Sequence, residues 1–131
     1  MSIPLVCKSK IDLLIKGRIP SKKNSRNIFV RGGKLFNIPS KDYNEWHKVA
    51  FLQLLPFRNA GKIKFTCVRL RFWAPDKRSA DLSNKTESIM DLLVDAAIIE
   101  DDNWWIIKDL NLEFMGVDKA NPRCEITLYA L

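Results

Sequence analysis

The sequence predicts an α+β fold, a two-layer sandwich of two main helices on a largely antiparallel or mixed β-sheet. Three observations carry this prediction. Two segments, about 40–55 and 82–97, repeat apolar residues at three- and four-residue spacing. Strand-like segments lie before, between and after them, and a Gly32-Gly33 pair divides one of these into a hairpin.

The elements follow in chain order. "IDLLIKGRI" alternates as a first strand, ended by Pro20 and a polar loop from Ser21 to Asn27. "NIFVRGGKLFN" is two short strands about Gly32-Gly33, because a two-residue turn needs positive φ at both positions. Ser40 is placed as an N-cap, and Tyr43, Trp46, Val49, Ala50 and Leu54 are placed on one face of the first helix, which Pro56 stops. "KIKFTCVRLRFWAP" is a long strand whose apolar phase moves from Ile63, Phe65 and Cys67 to Val68, Leu70 and Phe72, implying a bulge or burial on both faces. The second helix runs from about Leu82 to Ala97. "WWIIKDLNLEFMGV" and "RCEITLYAL" are the last two strands, flanking a turn at Asp118–Pro122. With no repeat or linker in 131 residues, 47% of them hydrophobic, residues 1–131 are expected to form one domain with its own core.

Composition narrows the function. Three scattered cysteines with no C-x-x-C pair, and a single histidine, suggest neither a disulfide framework nor a zinc site, and fit a reducing cytoplasm. The short apolar stretch near the N-terminus is broken by Lys8 and Lys10, and no run approaches the ~20 residues of a membrane span, so the chain is expected to be soluble, unprocessed and free of any membrane partner. Lys and Arg number 22 against 15 Asp and Glu, a net charge of +7, and the excess is concentrated in residues 8–78. Charge of this kind serves solubility or phosphate binding, and by itself does not separate the two.

Against this basic background stands an acidic strip. On the second helix Ile89, Met90, Leu93, Ala96 and Ala97 form the apolar stripe, while Glu87, Asp91 and Asp95 recur every fourth residue on the other side with Asn84 and Ser88 between them. Asp81 precedes the first turn, where it can cap free backbone N–H groups, and Glu100, Asp101 and Asp102 follow the helix. Three readings fit. The strip is a solvated face, a dock for a basic partner protein, or a set of oxygen ligands for Mg²⁺. An acidic patch inside a phosphate-attracting surface favours the cation, because bare carboxylates would repel the phosphates drawn to the surroundings.

The segment resembles the signature of RusA-type Holliday junction resolvases, crossover junction endodeoxyribonucleases common on prophages. That signature runs Asp-x-Asp-Asn, a Lys, an Asp a turn further on, and an Asp-Asp pair. Here it reads Asp81-Leu82-Ser83-Asn84, then Asp91, then Glu100-Asp101-Asp102. "IPSKKNSR", with Pro20, Ser21, Asn24 and Arg26, resembles the family's N-terminal loop, and the element order also agrees. The resemblance implies an Mg²⁺-dependent homodimer that nicks four-way DNA junctions symmetrically in recombination and repair, with Asp81 and Asp102 as metal-binding catalytic carboxylates. Two positions depart from the pattern: Ser83 stands for the family's second Asp, and Glu87 for its Lys. Lys85 does not replace that Lys directly, being about 200° away around a helix.

The expected centre is therefore Asp81, Asp102 and Glu87 as catalytic metal ligands, with Asp91 and Asp101 as further candidate ligands, holding Mg²⁺ or alternatively Mn²⁺. Glu87 lies four residues after Ser83 and can lean over the first turn to supply the missing carboxylate. Asp81 and Asp102 begin at opposite ends of a helix roughly 20 Å long, so they meet only if the "IIEDD" segment doubles back or a partner subunit supplies one of them. Lys22, Lys23, Asn24, Arg26, Arg31, Lys34, Lys77 and Arg78 are the expected DNA contacts. His47 reads as a packed or solvent-edge residue rather than a general base, and of Trp104 and Trp105, alternating on a strand, one is expected in the core. The competing class is a DNA-binding protein that has lost cleavage through the Ser83 change.

Overall fold

A computed structural model describes residues 9–21, 26–59 and 62–130, the side chains of 26–29 and 36–39 excepted. Strand β1 (Ser9–Lys16) is followed by the hairpin β2 (Arg26–Arg31) and β3 (Lys34–Pro39), helix α1 (Lys41–Leu54), strand β4 (Cys67–Ala74), helix α2 (Leu82–Asp95), and strands β5 (Asp109–Val117) and β6 (Arg123–Ala130). The main sheet has the order β1-β6-β4-β5, and β2-β3 forms a separate two-stranded sheet. β6 is antiparallel to both β1 and β4, whereas β4 and β5 run parallel. The sheet is therefore mixed, and α2 is the crossover of a β-α-β unit.

Local chemistry explains each boundary. Gly32 and Gly33 both have positive φ, so the β2–β3 turn uses the backbone freedom that only glycine supplies without strain. The Ser40 side chain accepts from the Tyr43 N–H and caps α1, and Pro56, lacking a backbone donor, converts its end into a 3₁₀ turn, Leu55–Phe57. Tyr43, Ala50 and Leu54 are buried and Trp46 is half-buried, but Val49 is 57% exposed. Val49 lies about 120° around the helix from Tyr43, at the rim of the stripe rather than in it.

The core joins the layers. Ile89, Met90, Leu92 and Leu93 of α2, with its C-cap Ala96, pack against Val68, Leu70 and Phe72 of β4, Ile126 and Leu128 of β6, and Leu13 and Ile15 of β1. Ser88, expected on the acidic face, is instead fully buried, its hydroxyl satisfied by the Pro20 carbonyl at 2.6 Å. The phase change in "KIKFTCVRLRFWAP" has a simple cause. The strand begins only at Cys67, so Ile63 and Phe65 belong to the preceding loop, and Cys67 and Val68 are both buried. The bulge lies further on, in β5, where Phe72 pairs with Phe114 but Trp73 pairs with Gly116.

The strand expected from Trp104 begins only at Asp109. Asn103 bends the intervening chain: its side-chain oxygen accepts from the Trp105 N–H, and its carbonyl accepts from Ile106 and Ile107. Both tryptophans consequently face solvent, at 78% and 77% exposure, and neither joins the core. Among the described residues no helix is long and apolar enough to cross a membrane.

Candidate functional site

Helix α2 carries different chemistry at its two ends. At the start, Asp81 is the N-cap, and one of its carboxylate oxygens accepts from the Ser83 N–H at 3.2 Å and the Ser83 hydroxyl at 2.8 Å. Ser83 thus partners Asp81 directly. One turn on, Lys85 donates to the Ile19 carbonyl at 2.6 Å, and with Ser88 on Pro20 it ties the segment after β1 to the helix. Burial holds the Lys85 ammonium below its ordinary pKa, and the nearby Arg18 and Arg78 cations add to the effect.

At the far end, Asp91 and Asp95 repeat one turn apart on α2, and Tyr43 and His47 repeat one turn apart on α1. The helices lie so that these rungs meet. The Tyr43 hydroxyl reaches an Asp91 oxygen at 3.4 Å, and His47 Nε2 lies 2.8 Å from an Asp95 oxygen. A carboxylate only accepts, so Nε2 carries the proton in this pairing. His47, Asp91 and Asp95 each bring a ligand atom within 4.8 Å of the others, forming, among the described residues, a group that could hold a metal ion.

The chain then turns out of the helix. Ala97 adopts φ 55°, and the Ile98 and Ile99 N–H groups both return to the Leu93 carbonyl. Asp101 accepts from the Asp102 N–H and the Asn103 amide, which hold its carboxyl below the usual carboxylate range. Asp102 is shifted the opposite way. Burial raises its pKa first, followed by the hydrogen bond and charge of Asp101, with a further contribution from Asp91. The charge of Asp91, on the helix, thus reaches Asp102.

The expected ligands are distributed unequally over this frame. Asp91 sits inside the group, Asp102 feels the charge of Asp101 and, more weakly, of Asp91, and Asp101 is turned into the local bend. Glu87 is exposed one turn before Asp91. Asp81 stands about 15 Å from Asp91 along the helix axis, occupied by its cap. His47 and Asp95 were not among the expected ligands. Their signal was the matched four-residue spacing of Tyr43–His47 and Asp91–Asp95, which becomes informative only once the two helices are known to be neighbours.

Of the expected DNA contacts, Lys22, Lys23 and Asn24 lie outside the described residues, as does the side chain of Arg26. Arg31 and Lys34 are exposed beside the hairpin turn. Lys77 and Arg78 are exposed between β4 and α2, with Arg78 held by Asp76 through two hydrogen bonds to one oxygen. The strand cations of "RLR" have internal work instead: Arg69 pairs with Glu113 at 2.7 Å and Arg71 with Glu125 at 3.4 Å. Buried Cys124 is chemically quiet, its thiol pushed well above the ordinary range by burial.

No protein-family model matches the chain, and no curated protein matches it.

Proposed function

We propose that this chain is a metal-dependent endonuclease that resolves four-way DNA junctions by paired phosphodiester hydrolysis, acting in the cytoplasm in recombination and repair. The observation that carries the reading is the His47, Asp91 and Asp95 group, with Asp102 near enough to feel the charge of Asp91, in a chain of net charge +7. The resemblance of residues 81–102 to the RusA-type signature supports the same class.

The donor set suits a divalent cation. Carboxylates with water favour Mg²⁺ or Mn²⁺, and an imidazole moves preference toward the softer Mn²⁺. Such an ion supplies an activated water and neutralises charge on the leaving oxygen. Asp91, Asp95 and His47 would hold it, with Asp102 as the next available carboxylate. Tyr43 positions Asp91. Because His47 Nε2 carries a proton when paired to Asp95, a cation must displace that proton or use the other ring nitrogen, so acid opposes loading. Arg31, Lys34, Lys77 and Arg78 offer phosphate contacts, and exposed Trp104 and Trp105 offer an apolar surface for a second copy in a homodimer.

The test is incubation of purified protein with a labelled synthetic four-way junction and a linear duplex, in Mg²⁺, in Mn²⁺ and in chelator. Paired nicks in the junction with either ion, and none in chelator, are expected. Junction binding without cleavage in any condition would overturn the enzyme reading in favour of a non-catalytic junction-binding protein. The Asp81–Ser83 pairing favours that second reading, since it engages in a cap the carboxylate that the RusA-type pattern assigns to metal.

A further inference from the structure

A concave site lies away from the acidic group. A cleft of about 490 Å³ opens between the segment after β1, the β4–α2 connection and the end of β5. Its position, outside the carboxyl end of the parallel β4–β5 pair and at the start of the crossover helix, is where α/β units commonly bind ligands. Four cations line it, Arg18, Lys77, Arg78 and Lys85, against a single carboxylate, Asp76. The excess is concentrated, since Arg18 and Arg78 both act on the Lys85 ammonium. Lys85 is partly buried, its ammonium donates to the Ile19 carbonyl, and Arg18 and Arg78 repel it with Asp76 opposing them, so an anion in the cleft relieves the remaining repulsion.

The walls are apolar as well as charged. Phe72 and Phe114 are neighbours across β4 and β5. Phe72 is buried, while Phe114 is 60% exposed and lines the cleft. The volume lies in the range of small-ligand sites. Phosphate on one side and a planar, stackable ring on the other are the two halves of a nucleotide. We infer that this cleft takes one unpaired nucleotide, its phosphate on Arg18, Arg78 and Lys85 and its base against Phe114. The nucleic-acid source of that nucleotide rests on the proposed function, because a polyanion suits a chain of this charge and base stacking is interrupted at a branch point, where a base opens from its pair at least cost.

The test is run in chelator, so that binding is read without cleavage. Protein is titrated into a gapped duplex carrying 2-aminopurine at the unpaired position, into the same duplex with that base paired, and with deoxythymidine monophosphate as competitor. Stacking should quench the unpaired probe only. Phe114→Ala, at an exposed position that folding tolerates, should weaken binding of the gapped DNA about tenfold, and Arg18→Gln should weaken it and reduce its salt dependence by about one phosphate contact. Asp76→Asn, which releases Arg78, should tighten it. Equal affinity for paired and unpaired probes, unchanged in all three variants, would overturn the inference even if junctions are nicked in Mg²⁺. Competition by the mononucleotide at the oligonucleotide's own affinity would overturn the nucleic-acid source and assign the cleft to free nucleotides. Cleft binding that follows the variants while no metal supports nicking would sustain the inference and sink the nuclease reading.

Discussion

The two ends of α2 are charged against their own helix. A helix carries partial positive charge at its N-terminus and partial negative charge at its C-terminus, so carboxylates belong at the start and cations at the end. Here Lys85, Arg18, Lys77 and Arg78 gather around the start and outnumber the carboxylates described there, Asp76 and Asp81, while Asp91, Asp95 and Asp102 gather toward the end. Each end is set up to gain from a ligand of opposite sign, an anion at one and a cation at the other. The buried stripe of Ile89, Met90, Leu92, Leu93 and Ala96, on the side packed against the sheet, carries no charge and simply anchors the helix.

The largest expected effect separates the ends by activity. Asp91→Asn should lower metal-dependent junction nicking by more than about 100-fold, beyond the range typical of residues that only support a ligand. Asp81→Asn, which keeps a good N-cap, should leave nicking within a few-fold of wild type. Loss of nicking in Asp81→Asn with an unchanged melting temperature would break the division and return Asp81 to the metal centre.

Next in size is stabilisation by the cation itself. At about 100 times its dissociation constant, Mn²⁺ should stabilise the fold by about 2.7 kcal/mol, read as a rise in the unfolding midpoint by circular dichroism. Asp91→Asn should remove the rise and Asp81→Asn should not. A midpoint insensitive to divalent ions in the wild type would dispose of the C-terminal site.

Asp81→Ala should cost about 1 kcal/mol in urea denaturation, the usual value of a lost cap, with no change in cation stabilisation. Smallest is Asp102→Asn in chelator. A carboxyl whose folded-state pKa is raised stabilises the fold while protonated, and that stability is lost as pH climbs from the ordinary Asp value of about 4 through the higher folded value. Asp102→Asn should therefore gain a few tenths of a kcal/mol at pH 7, after solvent screening, and nothing at pH 3. Destabilisation at pH 7 would show that Asp102 makes a favourable contact that its charge environment conceals.

What the sequence made legible was local. Gly32-Gly33, the Ser40 cap, the Pro56 stop and the Ile89–Leu93 stripe each depend on residues within a turn or two, and each lies where expected. Residues 104–107 misled because an apolar run reads alike in a strand and in a turn, and the deciding interaction, Asn103 on the Trp105 N–H, is a side chain competing with the ladder. The pairing of His47 with Asp95 was not legible because it joins residues 48 positions apart through the packing of two helices. Ser88 illustrates the same limit from the other side. A hydroxyl counted as polar surface is buried because a carbonyl from beyond β1 meets it.

The place of β6 in the sheet governs how this protein must come together in time. β6 lies between β1 and β4, and its register matches Ser9 with Ala130 and Cys67 with Tyr129. Neither of those strands can complete its hydrogen bonds on the β6 side until a segment far along the chain arrives, so most of the sheet forms through long loop closures. Folding should accordingly be slow for a domain of this size, and the Val68, Leu70 and Phe72 strand would wait with an open edge while it proceeds. The hairpin β2–β3 and helix α1, built from near neighbours, have no such delay, so nascent structure is expected there long before either end of α2 acquires its surroundings.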